Sequence, residues 1–390
     1  MKSKKLIFAS DFAPIRRFAP LMKEQPQAVY GDLLPRLQAA DYAIVNLESP
    51  LHNDGSFIAK SGAAFSGEKA HIHSLCAGNF RAVILANNHT FDSGISGFEA
   101  TCQLLDEYHI AYAGAGKNIQ EARRELAFNT GDVRIAVFTV SEGEDMLGAT
   151  VDTPGVRPWE VKQLADDIRA ARKKYDIILV SAHCGLEYQP FPSFYVYEAF
   201  EKWAAAGADM IIGHHPHVPQ GMTFFGRTPA YFSLGNFVFY QPVDLLYRKT
   251  GYFLELEVDK SGIISSKAVP YRIGDNGLKL LTGDDEKWFE KLFSRISEPL
   301  RTRQGALQAW HAVLAYNGPA GFQEELSRIS RTLQDDPVKG AAMLRNRLTC
   351  IQHSSQWLDG MTRIIDGTIS DSPAELIAEV KTFMTEKTAE

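Results

Sequence analysis

Seven short, continuous apolar runs punctuate the first two thirds of the chain: LIFAS (6–10), YAIVNL (42–47), AVILAN (82–87), IAYAG (110–114), RIAVFTV (134–140), IILVSAH (177–183) and MIIGHH (210–215). Runs of this kind lack the in-out alternation of a half-exposed strand and describe strands covered on both faces. Between several of them lie stretches of helical spacing, such as EAFEKWAAAGA (198–208) and VKQLADDIRAARKKY (161–175), the latter with a charged face. Strand and helix in alternation predict an α/β architecture built from βαβ units. After residue 217 the pattern changes to FSLGNFVF (232–239), YFLELEVD (252–259) and IISSKAVPYRI (263–273), whose alternation predicts antiparallel pairing in an edge hairpin or second sheet.

A Gly/Asp-rich stretch at 275–283 then marks a boundary, which divides the chain into 1–280 and a helical region, 281–390. In that region Trp288, Leu292, Phe293 and Ile296 share one helix face before Pro299, and LQAWHAVLAY (307–316) ends at Asn317-Gly318-Pro319. Ser372-Pro373-Ala374-Glu375 predicts a capping box at the start of the last helix. The tail carries no legible chemistry and is expected to serve as a surface for a partner protein or self-association.

Composition narrows the class. With 390 residues, 45% of them hydrophobic and 23% charged, the chain has ample material for a core, which excludes disorder and a disulfide-stapled miniprotein. The start MKSKKLIFASDF has four apolar residues in a row before Asp11, short of the ~7–15 of a secretory signal, and no uncharged run approaches the ~18 of a membrane span. Cys76, Cys102, Cys184 and Cys350 show no paired or zinc-ribbon spacing, as expected of reduced thiols in a cytoplasmic protein. A net charge of -6 argues against general nucleic-acid binding.

The chemistry-bearing residues cluster where the predicted strands end, and this is where α/β sheets place their ligands. Asp11 follows the first strand; it reads as a turn or cap residue as readily as a ligand. Asn46 and Glu48 close the second, where a carboxylate is costly unless paired or metal-bound. ANNHTFDSG then offers Asn87, Asn88 and His89, with Asp92 three residues on; the bland reading of Asn-Asn is a turn. Amide oxygen with imidazole suits Mn, Fe or Zn, and a histidine steered by a carboxylate suits proton transfer. His183 ends another strand, with Glu187 four residues later, and Cys184 beside it reads as a ligand, a nucleophile or a small buried thiol. His214, His215 and His217, bracketed by Gly213 and Pro216, form the strongest local signal for metal or phosphate chemistry. Together these groups make the inventory of a hydrolytic site with one or two metal ions.

The order of SDFAPIR (10–16), NLESPL (46–51), ANNHTFDSG (86–94), HCGLEY (183–188), GHHPHVPQG (213–221) and YFSLGNFVF (231–239) resembles the bacterial capsule synthesis, poly-gamma-glutamate (CapA-like) family, a branch of the calcineurin-like metallophosphoesterases. The resemblance covers residues 6 to about 240 and leaves the helical region outside. It implies a metallophosphoesterase-like α/β fold, two packed mixed sheets flanked by helices with a metal centre at one edge. By position, Asp11, Glu48 and His217 would hold one divalent ion, and Glu48, Asn88, His183 and His215 another. His89 would then be the acid with Asp92 orienting it. Arg16, Lys60 and Glu187, with Asn46, Asn87 and His214, would contact an anionic substrate or support the ligands.

Three positions depart from the pattern. The wider superfamily usually places a histidine two residues after the first aspartate, where Ala13 stands here. Ser10 replaces a glycine and Cys184 a tryptophan, and His214 or Glu187 are candidates to replace the missing ligand. The resemblance implies a metal-dependent hydrolase, first a phosphoesterase serving capsule, poly-gamma-glutamate or another surface polymer. The alternatives are an amidase acting on glutamyl polymers or peptidoglycan fragments, and a non-catalytic accessory protein that binds polymer or partner enzymes.

Overall fold

The computed structural model describes residues 3–388. Its strands run in chain order as β1 (Lys4–Ala13), β2 (Tyr42–Leu47), β3 (Phe80–Ile84), β4 (Ala111–Ala113), β5 (Ala115–Gly116), β6 (Leu126–Thr130), β7 (Val133–Ser141) and β8 (Gly155–Val156). There follow β9 (Ile177–His183), β10 (Met210–His214), β11 (Met222–Phe225), β12 (Thr228–Tyr231), β13 (Asn236–Phe239), β14 (Thr250–Asp259), β15 (Gly262–Gly274) and β16 (Gly277–Leu280). One mixed sheet of eight strands is ordered β16-β15-β14-β1-β2-β3-β4, with β13 also pairing β1; a second, of six, is ordered β11-β12-β10-β9-β7-β6. These are the two mixed sheets flanked by helices that the sequence resemblance implies.

Alternate residues of the inner strands point to opposite, equally dry sides, which is why their sequences are continuously apolar. Leu6, Phe8, Ile44 and Ile84 of the first sheet meet Ile135, Ile177, Met210 and Ile212 of the second between the sheets. Ile7, Ala9, Val45 and Val83 instead face the outer helices through Phe18, Ile72, Leu75 and Leu105. On the far side, Phe138, Ile178, Val180 and Ile211 pack on Leu164, Ile168, Phe200 and Trp203 of helices Val161–Ala171 and Phe194–Ala206.

The antiparallel pattern after residue 217 is real for β14, β15 and β16, which extend the first sheet as a meander. FSLGNFVF differs from expectation: its Asn236–Phe239 segment runs parallel to β1, with Asn236 opposite Asp11. That pairing matters below, because it brings an amide to a carboxylate at the sheet edge.

From Asp284 onward the described chain is mostly helical. Its apolar faces dock on the sandwich: Phe289, Leu292, Ile296, Trp310 and Phe383 belong to the same buried cluster as Phe8, Tyr252 and Leu254. Each such fully buried side chain contributes roughly 1.5–3 kcal/mol. The helical run Arg303–Asp335 is broken at Gly318 (φ 56°), beside Pro319, and then resumes. The capping box does not form: Pro373 takes the N-cap position and Ser372 donates its hydroxyl to the Gln308 carbonyl instead, tying the last helix to the Arg303–Asp335 run.

Candidate metal centre

The carboxyl ends of β1, β2 and β3 in one sheet and of β9 and β10 in the other converge on one edge. Neighbouring strands hold Asp11 level with Asn46, and His183 level with His214. Beyond β10 the chain turns through Gly213-His214-His215-Pro216-His217. A Cβ on Gly213 would lie 2.0 Å from the Phe232 carbonyl oxygen, so only glycine fits. His215 (φ 99°) and His217 (φ 57°) both occupy the left-handed region. Such backbone costs on the order of 1–3 kcal/mol per residue and persists where the surroundings impose it.

The turn aims two imidazoles at two buried carboxylates. His217 Nδ1 lies 3.4 Å from Asp11 Oδ2 and its Nε2 3.8 Å from Glu48 Oε1. At the same Glu48 oxygen, His183 Nε2 is 3.4 Å away, and that nitrogen lies 3.0 Å from His215 Nδ1 and 3.0 Å from the Asn88 side-chain oxygen. Asp11, Glu48 and His217 thus bring one ligand atom each within 4.8 Å of one another, and so do Glu48, His183 and His215. Glu48 is common to both groups.

Polar satisfaction tests whether cations fit. Glu48 is fully buried, and among the described residues neither of its carboxylate oxygens has a hydrogen-bond partner, nor has Asp11 Oδ2. Burial, reinforced by Asp11 and Glu187, pushes the Glu48 carboxyl well above its ordinary range. Burial pushes Asp11 the same way, but the adjacent His217 imidazole outweighs it and holds Asp11 low. At His217 burial disfavours charge and Asp11 prevails, so that imidazole is raised, whereas burial and the neighbouring histidines depress His183 strongly. Orphaned acceptors flanked by imidazoles suit one or two divalent cations, and they are unfavourable otherwise.

Beside this group, His89 Nδ1 sits 2.7 Å from Asp92 Oδ2, while its Nε2 is 4.0 Å from Glu48 Oε1. Phe65 stacks on the ring at 3.9 Å. Burial and then the Lys60 charge lower the His89 pKa, against the pull of Asp92.

The remaining expected residues fall into distinct places. Asn87 donates to the Asn46 side-chain oxygen and Leu47 carbonyl, and Asn46 in turn donates to Asp11 Oδ1 (2.8 Å), so these amides brace the strand ends. Lys60 is 4% exposed and bonded to Asp92 and the Asn88 carbonyl, both at 2.8 Å. Arg16 and Glu187 line a cavity of about 260 Å³ over His89, Asn88 and His217. Ala13 is buried against Ile15, Phe239 and Phe65, so a methyl stands where the resemblance leads one to expect an imidazole. His214 faces inward, stacked on Phe8 with Nδ1 3.2 Å from Ser10 Oγ and 3.7 Å from Asp11 Oδ1; Glu187 Oε1 lies 3.6 Å from His217 Nε2. Cys184 is buried, and burial with Glu142 alongside pushes its thiol far above the thiolate range.

Several groups at the site were not anticipated. Asn236 accepts from His217 Nδ1 at 2.9 Å, which turns Nε2 toward Glu48; it belonged to the quoted YFSLGNFVF motif, so the signal was present. Glu144 accepts from Asn88 Nδ2 at 2.7 Å. The helical tail, read as chemically silent, brings Arg328, Arg347 and His353 to the cavity wall and Gln352 to within 3.1 Å of His215 Nε2. A lone Gln or His on an exposed-looking helix carries no motif, so nothing in the sequence pointed to them.

Residues 5–241 match the family described as bacterial capsule synthesis protein PGA_cap. The chain belongs to this family. The PGA_cap match takes in every strand-end residue named above and stops before β14. Among relatives, the PGA biosynthesis protein CapA of Bacillus subtilis (strain 168) is 31% identical over 231 residues, which covers 58% of this chain and 60% of that protein. The capsule biosynthesis protein CapA of Bacillus anthracis is 28% identical over 288 residues, covering 72% and 68%. This PGA_cap chain therefore matches about three fifths of the length of the Bacillus subtilis relative. Among solved structures it is similar to the NAD nucleotidase of Haemophilus influenzae, with a TM-score of 0.41 and 14% identity over 74% of this chain and 55% of that one. Similarity at that level carries no argument about chemistry.

Proposed function

We propose that the chain is a divalent-metal-dependent hydrolase of an anionic phosphate ester, acting in the synthesis of a capsule or related surface polymer. The observation that carries this reading is the pair of buried carboxylates, Asp11 and Glu48, with unpartnered oxygens facing three imidazoles and an amide oxygen. Asp11, Glu48 and His217 would hold one ion, and Glu48, Asn88, His183 and His215 a second. Ala13 leaves the first set one donor short of the second, so the two positions differ in affinity. Such donors accept manganese, iron or zinc. Bound there, divalent ions lower the pKa of a water and offset the charge of phosphoryl oxygens.

The chain's own residues supply the rest. Asp92 accepts from Nδ1 of His89 and leaves Nε2 facing the cavity. Burial and Lys60 lower the proton affinity of His89 and a phosphoryl anion beside Nε2 raises it, so that substrate binding favours uptake of a proton from solvent at Nε2, which His89 passes to the leaving oxygen. Arg16 and Arg328 line the same cavity and suit an anion, while Arg347 is paired with Glu325 and Lys60 with Asp92. Apart from Ala13, the strand-end donors are all present, which supports catalysis over a purely accessory role. The test is to assay phosphate mono- and diesters beside γ-glutamyl peptides with the metal-loaded protein. Turnover of a phosphate ester, lost on chelation, is the expected result; turnover confined to γ-glutamyl bonds would replace this reading with an amidase, and none at all would favour a binding role.

A further inference from the structure

The C-terminal helices lie outside the family match, yet the first turn of helix Ile351–Ile365 reaches the deepest part of the site. Gln352 is 1% exposed, and its amide nitrogen lies 3.1 Å from His215 Nε2, the ring atom opposite Nδ1, which faces His183. The side-chain oxygen of Gln352 has no partner in the present orientation. A half-turn of the carboxamide exchanges its two ends within nearly the same volume. The next residue acts on another ligand: His353 Nε2 stands 3.5 Å from Glu144 Oε1, and Glu144 Oε2 accepts from Asn88 Nδ2 at 2.7 Å. A carboxylate only accepts, so it fixes the NH₂ end of Asn88 on its own side and turns the oxygen toward His183 Nε2, 3.0 Å away.

We infer that helix Ile351–Ile365 is a structural part of the metal centre. With its carboxamide turned so that the oxygen meets the ring, Gln352 holds His215 in the tautomer that carries its proton on Nε2 and offers Nδ1 to the ion, and His353, through Glu144, holds Asn88 with its oxygen presented. This rests on the metal-centre reading above. His217 supplies an internal parallel, since Asn236 accepts from its Nδ1 and frees Nε2 on the carboxylate side. Within the family segment that service comes from a neighbouring strand; for His215 it comes from 137 residues away. Partners of this kind fix ring orientation and ligand basicity. Gln352 and His353 are thus positioning residues, and docking of the tail is coupled to metal affinity.

The test uses the full-length protein and Mn²⁺ and Zn²⁺ alone, with dissociation constants measured by competition against a chelating fluorophore. Thermal melting in EDTA shows that each variant folds. Gln352→Leu should weaken binding by about 10–100-fold, Glu144→Ala should act in the same direction, and Gln352→Glu, which keeps an acceptor, should return to within about threefold of wild type. A folded Gln352→Leu variant with wild-type affinity, or a Gln352→Glu variant as weak as Gln352→Leu, would overturn the inference while leaving the metal centre intact. Failure of the wild type to bind either ion would instead remove the reading on which it rests.

Discussion

Nδ1 of His89 and Oδ2 of Asp92 lie 2.7 Å apart in a buried pocket capped by Phe65, with the opposite edge of the imidazole turned to the cavity. In the proposed reaction this pair moves a proton and holds no metal. Replacing His89 by alanine should therefore lower turnover by about 10²–10⁴-fold while metal content stays at the wild-type level. The comparison is kcat against elemental analysis of the same preparation. Full turnover in the variant would remove the acid role.

The third member of that group is structural. Lys60 and Asp92 form an ion pair at 2.8 Å with side chains 2% and 0% exposed. Removing one partner of such a pair leaves a buried charge uncompensated, at a cost of about 3–5 kcal/mol. Lys60→Met should lose stability of that order in urea denaturation. A loss below about 1 kcal/mol would mean that water reaches Asp92 and that the pair is less enclosed than its geometry indicates.

Legibility of the sequence followed the physics of each signal. Continuous apolar runs found the central strands because those strands are covered on both faces; the candidate site residues stand at the ends of those strands, and the ligand set itself was implied by the family resemblance. Asn236 was within a quoted motif, but its role depends on β13 lying parallel to β1, a long-range pairing that local alternation does not encode. Gln352, His353, Arg328 and Arg347 stand on helices with ordinary amphipathic patterns, and only tertiary docking turns them toward the site. Ser372 shows the same limit on a smaller scale: local spacing predicts a cap, and a neighbouring helix claims the hydroxyl.

Glu142 gives a pH dependence separate from the metal ligands. Burial raises its pKa to about 8, against the hydrogen bonds from the Tyr195 hydroxyl and the Gly185 amide and aided by Glu144. The folded chain keeps a proton that the unfolded chain releases near the ordinary glutamate value, so this contribution is complete at acid pH and is lost as pH rises toward about 8. Glu142→Gln removes the titration and keeps a neutral side chain. Between about pH 5 and about pH 8 the variant should gain on wild type in unfolding free energy, with a limiting slope on the order of 1.4 kcal/mol per pH unit. Parallel stability-pH curves would show that Glu142 is ionised in the folded state.

The central claim is that Glu48 and its neighbours hold divalent ions. Elemental mass spectrometry of protein purified without chelator or a histidine tag tests it most directly, with His215→Ala alongside. The account predicts about two equivalents of manganese, iron or zinc per chain in the wild type and loss of at least one in the variant. Absence of bound metal after reconstitution with all three ions would contradict it.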